Sequence, residues 1–185
     1  MVILVNKRKI AWFVLIGAVI LAAFLLYKPC LRRFVYPESY SEYVSESAEK
    51  YGLSPQLIYA VIKAESGFDS QAVSAKGACG LMQITPETAG WAFEKMGMDA
   101  QSDIFSPQIN IAVGSWYLAK LAGDYNGDIP AALAAYNAGP ANVRKWIAEM
   151  GGIEVEKIPF AETRDYVTKS LKFYEMYKNL YPEGE

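Results

Sequence analysis

An uninterrupted apolar stretch near the amino terminus constrains this chain more than any other feature. Residues 10–27, IAWFVLIGAVILAAFLLY, form a run of 18 positions without a charged side chain. A helix of that length spans about 27 Å, close to the thickness of the hydrocarbon core of a bilayer. Trp12 and Tyr27 lie near its ends, where aromatic side chains prefer the interface of lipid and water. We therefore predict a transmembrane helix over residues 10–27.

The residues that follow this stretch favour an uncleaved signal anchor. No cleavage site of the A-x-A kind follows Tyr27, which argues against a secretory signal peptide. Cys30 follows Tyr27-Lys28-Pro29 instead of the small and apolar residues of a lipoprotein signal. Basic residues flank both sides, so they indicate the orientation only weakly. We expect a short cytoplasmic tail at residues 1–9, a juxtamembrane linker at 28–38 and one folded domain at 39–185.

The distribution of charge separates the leader from the domain. The first 37 residues carry six basic side chains and no acidic one, and the remainder carries 12 basic and 20 acidic side chains. An acidic domain behind a basic, apolar leader argues against nucleic-acid binding and favours an enzyme tethered to a membrane. The cysteines, Cys30 and Cys79, have nothing in the sequence to bring them together, so we predict no disulfide.

The chain contains no histidine, which removes several kinds of catalytic site. Serine-histidine and cysteine-histidine pairs and histidine-ligated zinc are excluded, so acid-base chemistry falls to carboxylates, tyrosines or lysines. Helix-starting Pro and helix-ending Gly recur along the domain, and strand-like alternation is scarce. We predict an all-α domain with helices over residues 38–51, 55–66, 86–96, 107–125, 130–137, 141–150 and 161–180.

One carboxylate falls on a helix face that should be buried. In the helix predicted over residues 55–66, Ile58, Val61 and Ile62 precede Glu65 by seven, four and three positions and share its face. A Glu at a helix end can curl into solvent or pair with a Lys. Alternatively, burial favours the protonated carboxyl, which can then act as a general acid near neutral pH. Helix geometry alone leaves both interpretations open.

Four short motifs follow one another along the chain. They are Glu65-Ser66, Gly80-Leu81-Met82-Gln83, Ala135-Tyr136-Asn137-Ala138-Gly139-Pro140, and Glu162-Thr163-Arg164 leading to Tyr166-Val167. Together they resemble the lytic transglycosylases of the SLT type, which are similar to goose-type lysozymes. The resemblance covers roughly residues 40–181. It implies a lysozyme-like fold that cleaves peptidoglycan glycan strands outside the cytoplasm and needs no metal or cofactor.

The resemblance implies that Glu65 is the single general acid and base. It would protonate the β-1,4 oxygen between N-acetylmuramic acid and N-acetylglucosamine. It would then take the proton of the muramoyl C6 hydroxyl, which closes a 1,6-anhydro ring without consuming water. Asp69 is the nearest further carboxylate in the sequence, but its polar surroundings predict a solvated loop. We therefore favour a mechanism with one carboxylate over the paired carboxylates of ordinary glycosidases.

The resemblance also implies a set of substrate-binding residues: Gln83, Met82, Tyr136, Asn137, Glu162 and Tyr166. Tyr166 would direct its hydroxyl at the catalytic carboxylate. Local pattern offers an alternative role for four of them. Met82 and Tyr136 can be core packing. Asn137 can be a left-handed helix cap, and Glu162 can be a first-turn charge favoured by the helix dipole.

Three other polar residues in these motifs have plausible structural roles. We expect Arg164 to form a structural ion pair. For Ser66 and Ser74, hydrogen bonding at a helix end and in a turn is as good an interpretation as a role in the site.

The sequence therefore predicts a single-pass cell-membrane enzyme, with its catalytic domain on the cell-wall side and residues 10–27 in the membrane. Peptidoglycan is the expected partner and nucleic acid is not, while the sequence does not identify which proteins the chain binds. A hydrolytic muramidase remains an alternative. So does a non-catalytic wall-binding module of an envelope-spanning complex.

Overall fold

A computed structural model describes residues 7–182, apart from the side chains of Lys7, Lys9 and Ile10. The tail predicted at residues 1–9 therefore lies largely outside the described residues. The chain divides after Glu38 into two compact units.

The first unit is one long apolar helix with a wider turn at its end. Helix α1 spans Lys7–Cys30 and contains Pro29, and a π-helical turn spans Leu31–Val35. Among the described residues this is the one helix long and apolar enough to cross a membrane, with a mean hydropathy of 2.2 over its apolar window. The segment predicted to be a linker from residue 28 is helical as far as Val35. The ring of Pro29 lacks an N–H, which is consistent with the altered turn that follows it.

The second unit is built from helices, which confirms the predicted all-α class. In chain order these are α2 Ser41–Tyr51, α3 Pro55–Glu65, α4 Pro86–Met96, α5 Pro107–Asp124, α6 Ile129–Ala138, α7 Pro140–Met150, a 3₁₀ turn Val155–Lys157, and α8 Ala161–Leu180. The largest difference from the predicted ranges is at the start of α2. Tyr40 has a left-handed backbone (φ 63°), so the helix begins at Ser41 instead of Glu38.

Two helices form the centre of this unit because residues 57–62 of α3 and 131–135 of α6 are all apolar. Residues 56–62 of α3 are all buried, and residues 131–135 of α6 have no exposed surface. A helix that is apolar all round requires partners on all sides. Helix α3 packs against α8 and α2, and α6 packs against α5, α7 and α8.

Hydrogen bonds at both ends fix how α3 lies against α8. The amide of Gln56 donates to the carbonyl of Tyr181 at 2.9 Å, beside the start of α3. The ammonium of Lys169 donates to the carbonyl of Ala64 at 2.8 Å, beside its end. The two helices are therefore antiparallel, and the first turns of α8 lie beside the carboxyl end of α3, where Glu65 is located.

Candidate active site

Glu65 is the last residue of α3, and the residue after it connects the helix to the Gly-rich segment. The hydroxyl of Ser66 donates to the carbonyl of Leu81 at 2.8 Å and accepts from the N–H of Phe68 at 3.2 Å. Ser66 therefore has the structural role that its position at a helix end suggested. Its bond holds the Gly80–Gln83 turn against the end of α3.

The loop between α3 and α4 is closed by its own backbone hydrogen bonds. Cys79 forms antiparallel bridges with both Val73 and Ile84, which the sequence pattern did not predict. The N–H of Gly80 also donates to the carbonyl of Ala72 at 2.9 Å. These bonds give the long loop between α3 and α4 a fixed conformation, and it forms a wall beside Glu65.

A buried amide on α5 anchors this wall. Asn110 has no exposed surface, and its amide nitrogen donates to the carbonyls of Cys79 and Ile104 at 2.9 Å each. Its oxygen accepts the N–H of Met82 at 2.7 Å. A Cβ on Gly80 would lie 2.4 Å from that amide nitrogen, and Gly80 has a φ of +74°. Glycine is therefore required at this position for two reasons, its backbone conformation and the close approach of Asn110.

The side chain of Met82 does not line the cleft, although the resemblance implied that it binds substrate. Its side chain is fully buried and packs so closely on Gly114 that a Cβ there would lie 2.4 Å from its sulfur. The side chain is in the core, which supports the packing interpretation. Its backbone carbonyl accepts the hydroxyl of Tyr136 at 2.9 Å, so the main chain of Met82 positions a residue that does line the cleft.

Gln83 lies at the cleft in a strained conformation. Its φ is +49°, which is uncommon for a residue other than glycine. Its amide nitrogen donates to the carbonyls of Ala72 at 3.1 Å and Gly80 at 2.9 Å. Both donors are thereby used inside the loop, and the amide oxygen remains as an acceptor for a ligand hydroxyl or N–H.

Asn137 is inside α6 and does not cap it, so the alternative role as a left-handed cap is wrong. Gly139 holds the positive φ of 84° after the helix ends at Ala138. The hydroxyl of Thr163, on α8, donates to the side-chain oxygen of Asn137 at 2.7 Å. This bond leaves the amide N–H groups of Asn137 available to the cleft.

These residues line two adjoining cavities, of about 320 and 240 Å³. Gln83, Thr85, Tyr136 and Asn137 line both. The larger one also includes Glu65, Ser74 and Glu162, and the smaller one includes Thr88 and Tyr117. Size does not identify the site, because a cavity of about 340 Å³ lies between α2 and α5. The chemistry of Glu65 distinguishes this cleft.

Burial raises the pKa of Glu65 from 4.5 to about 7. The Tyr166 hydroxyl and the Lys169 ammonium act in the opposite direction and lower that pKa. The hydroxyl of Tyr166 is buried beside the Glu65 carboxyl but does not reach full hydrogen-bond geometry with a partner among the described residues. Burial also raises the pKa of Tyr136 and Tyr166 well above 10, and the Glu65 charge adds to this, so both phenols stay protonated.

The other carboxylates near the motifs have different positions. The carboxylate of Asp69 is exposed and accepts the N–H of Gln71 at 2.9 Å, as expected for a solvated loop. Glu162 is exposed and lines the same cavity as Glu65. Arg164 donates to the carbonyl of Ile158 at 3.1 Å and pairs with no carboxylate in the described part of the chain, so the predicted ion pair is wrong.

A comparison with protein families identifies this architecture. The profile described as "Transglycosylase SLT domain" matches residues 42–158. The chain belongs to this family. The matched range contains Glu65, the loop that carries Gln83, and Asn137, while Glu162 and Tyr166 lie beyond it.

Similar SLT-domain proteins include both soluble and membrane-bound lytic murein transglycosylases. The soluble lytic murein transglycosylase of Escherichia coli K12 is 31% identical over 151 residues, which cover 77% of this chain and 23% of that protein. Membrane-bound lytic murein transglycosylase C of Actinobacillus pleuropneumoniae serotype 5b is 33% identical over 173 residues, covering 79% of this chain and 47% of that protein.

Solved structures of the family share the fold. The 70 kDa soluble lytic transglycosylase of Escherichia coli superposes with a TM-score of 0.75 at 30% identity, covering 80% of this chain and 25% of that one. An inactive mutant of the lytic transglycosylase Slt from Pseudomonas aeruginosa gives a TM-score of 0.72 at 35% identity, covering 78% of this chain and 24% of that one. The SLT-domain chain therefore spans between about a quarter and a half of the length of these relatives.

Sequence reasoning did not identify several residues that shape the site. Asn110 is a lone amide between Ile109 and Ile111, and a polar side chain within an apolar stretch was the available signal. Thr163 lies inside one of the four motifs, but no local pattern indicates its hydrogen bond to Asn137. Lys76 and Lys169 gave no signal, because only the folded chain brings them near Glu65.

Proposed function

We propose that this chain is a membrane-anchored lytic transglycosylase that cleaves peptidoglycan between N-acetylmuramic acid and N-acetylglucosamine. The observation that carries the proposal is Glu65, a cavity-lining carboxyl with a pKa of about 7. Near neutral pH such a group is present in both protonation states. It is therefore suited to give a proton in one step and regain it in the next.

In the first step Glu65 acts as the acid. Its proton passes to the glycosidic oxygen, which leaves as the C4 hydroxyl of N-acetylglucosamine. As the bond between this oxygen and the muramoyl C1 breaks, the acetamido oxygen of the same muramoyl residue forms a bond to C1. The negative charge stays on the Glu65 carboxylate, near the Tyr166 hydroxyl and the Lys169 ammonium, both of which favour the charged form.

In the second step Glu65 acts as the base. The carboxylate takes the proton of the muramoyl C6 hydroxyl, whose oxygen bonds to C1 while the acetamido oxygen departs. The product is a 1,6-anhydromuramoyl end, and Glu65 is protonated again. No water is consumed, so one titrating group is sufficient for the whole cycle.

The polar groups at the cleft suit a sugar chain rich in hydroxyl and acetamido groups. We propose that the free amide oxygen of Gln83 and the free amide N–H groups of Asn137 bind the sugars on either side of the broken bond. The ring of Tyr136 lies between the two cavities, where a pyranose ring can pack against it. We propose that Glu162, which lines the larger cavity, also binds substrate.

Helix α1 supplies the proposed membrane anchor. Its large apolar side chains are exposed in the chain alone, including Phe13 at 74% and Phe24 at 78%. We propose that residues 10–27 span the cytoplasmic membrane once and that the SLT domain lies on the cell-wall side, where peptidoglycan is found. We propose that the cytoplasmic tail is residues 1–9, the linker is residues 28–38 and the catalytic domain is residues 39–185.

Mass spectrometry of the products tests the proposed reaction. The full chain in detergent micelles is incubated with purified peptidoglycan in water enriched in ¹⁸O. We expect muropeptides with 1,6-anhydromuramic ends, lighter by one water than reducing ends and free of ¹⁸O. Glu65→Gln should abolish them while retaining binding to the glycan.

An increase in free reducing muramic ends over a sample without the protein would instead show hydrolysis. In that case Glu162 is the second carboxylate to test, because it shares the cavity with Glu65 whereas Asp69 does not. Unchanged glycan would point to the non-catalytic alternative.

A further inference from the structure

The larger cavity contains a cation that the proposed reaction does not use. Lys76 lines this cavity together with Glu65 and Glu162, and it is the one basic side chain among the described residues that do so. It is exposed, and no carboxylate of the described residues lies within ion-pair distance of it. Lys76 therefore does not neutralise a charge of the protein itself.

Lys76 is held at the rim by a short, closed turn. The N–H of Ser74 donates to the carbonyl of Ala78 at 2.9 Å, and the hydroxyl of Ser74 accepts the N–H of Ala78 at 3.0 Å. The N–H of Gly77 donates to the carbonyl of Ser74 at 2.9 Å, with Gly77 at a φ of +77°. These bonds fix the backbone around Lys76, and its side chain lines the cavity.

The chemistry of the substrate provides one kind of partner for this cation. Both sugars of a peptidoglycan strand are uncharged as rings. The muramoyl residue carries acid through its O3 lactyl group, either as a free lactyl carboxylate or as the carboxylates of the peptide attached there. Under the proposed function Glu65 acts at the muramoyl C1, and the acidic side group is attached to the same sugar ring.

We propose that Lys76 is a specificity-determining residue that binds a carboxylate of the muramoyl side group. This inference rests on the proposed function. It gives a role to the one basic side chain in a cavity that two acidic side chains also line. It also means that the cleft distinguishes a muramoyl strand from a chitin-like strand, which has the same ring backbone without the acid.

Binding measurements test the inference without depending on turnover. The affinity of the full-length Glu65→Gln chain is measured by calorimetry for three oligosaccharides: a muropeptide tetrasaccharide, the same sugar with its peptides removed to leave lactyl carboxylates, and chitotetraose. Lys76→Met in this background should weaken binding of at least one of the two acidic ligands about two- to fivefold, the range of a solvent-exposed charge pair. Chitotetraose binding should not change.

Matched variants separate the charge from other effects. Lys76→Arg should retain most of the affinity because it keeps the charge. Lys145→Met removes an exposed lysine of α7, whose ammonium lies 3.9 Å from Glu149, and should leave all affinities unchanged. Raising the salt concentration should reduce the difference between wild-type and Met variants, because salt screens exposed charges.

The pattern of losses identifies the acid and can overturn the inference. A loss with the peptide-bearing ligand alone assigns the carboxylate to the peptide, and a loss with the stripped ligand assigns it to the lactyl group. Equal losses for all three ligands, or no loss for any, would contradict the role of Lys76. Failure of the wild-type chain to form anhydro ends would instead contradict the proposed function, and these binding results do not depend on that outcome.

Discussion

The side-chain ammonium of Lys169 donates a 2.8 Å hydrogen bond to the backbone carbonyl of Ala64, the residue before Glu65. This bond places a positive charge at the carboxyl end of α3, where the helix dipole favours it. The same charge lowers the pKa of Glu65. Lys169 therefore both holds the end of α3 and favours the ionised form of the Glu65 carboxyl.

Replacing this lysine should change the pH dependence of the reaction. Lys169→Met removes the charge that lowers the Glu65 pKa, so the alkaline limb of the pH-activity profile should move to higher pH. Lys172→Met, an exposed lysine of the same helix, is the control and should leave the profile in place. An unchanged profile for Lys169→Met would show that its charge does not act on Glu65.

Glycine at position 80 should be far less replaceable than glycine at position 77. Both have positive φ, but a Cβ at Gly80 meets Asn110 whereas a Cβ at Gly77 meets nothing within 4 Å. Gly80→Ala should lower the free energy of unfolding by on the order of 2–4 kcal/mol, and Gly77→Ala by about 1 kcal/mol. Thermal unfolding followed by circular dichroism gives both values, and equal losses would contradict the predicted clash.

The bond from Thr163 to Asn137 should matter for substrate binding. Thr163→Val keeps the shape and removes the hydroxyl, which frees the amide of Asn137 to rotate away from the cleft. We expect kcat/KM to fall about two- to tenfold, with Thr163→Ser close to wild type, because one hydrogen bond contributes about 0.5–1.5 kcal/mol. Equal activity of the Val and Ser variants would show that this hydrogen bond does not position Asn137 for substrate binding.

Helix positions could be predicted from the sequence because their signals are local. Pro at the start and Gly near the end bracket α4 and α7, and both lie within one residue of the predicted ranges. The start of α2 was wrong because the left-handed conformation of Tyr40 has no signal in its residue type.

The cleft was predictable only in part. Glu65 stood out because a carboxylate lay on a helix face that should be buried. The role of Met82 was uncertain because a motif does not show which atoms face a cavity; its carbonyl supports Tyr136 while its side chain fills the core. Thr163 reaches the site through long-range packing of α8 on α6, which local pattern does not encode.

Glu65→Gln should stabilise the protein at alkaline pH. The folded-state pKa of about 7 lies above the ordinary 4.5, so folding favours the protonated carboxyl. This contribution is complete below about pH 4.5 and is lost as the pH rises through about 7. Above pH 8 the Gln variant should be the more stable, by at most on the order of 3 kcal/mol and by less to the extent that solvent in the cavity screens the charge.

The comparison is made by denaturant unfolding of both chains at pH 4.5 and pH 8.5. We expect an advantage for the Gln variant at the higher pH alone. An advantage of the same size at both pH values would mean that it does not arise from the ionisation of Glu65.

The most direct test is titration of Glu65 in the full chain, labelled with ¹³C at the side-chain carboxyl of glutamate. The resonance missing from the spectrum of Glu65→Gln identifies the residue, and its chemical shift is followed from pH 3 to pH 9. We predict a midpoint at about 7, which leaves the carboxyl able to donate a proton and take one back near neutral pH. A midpoint near the ordinary 4.5 would contradict the proposed role of Glu65 as general acid and base.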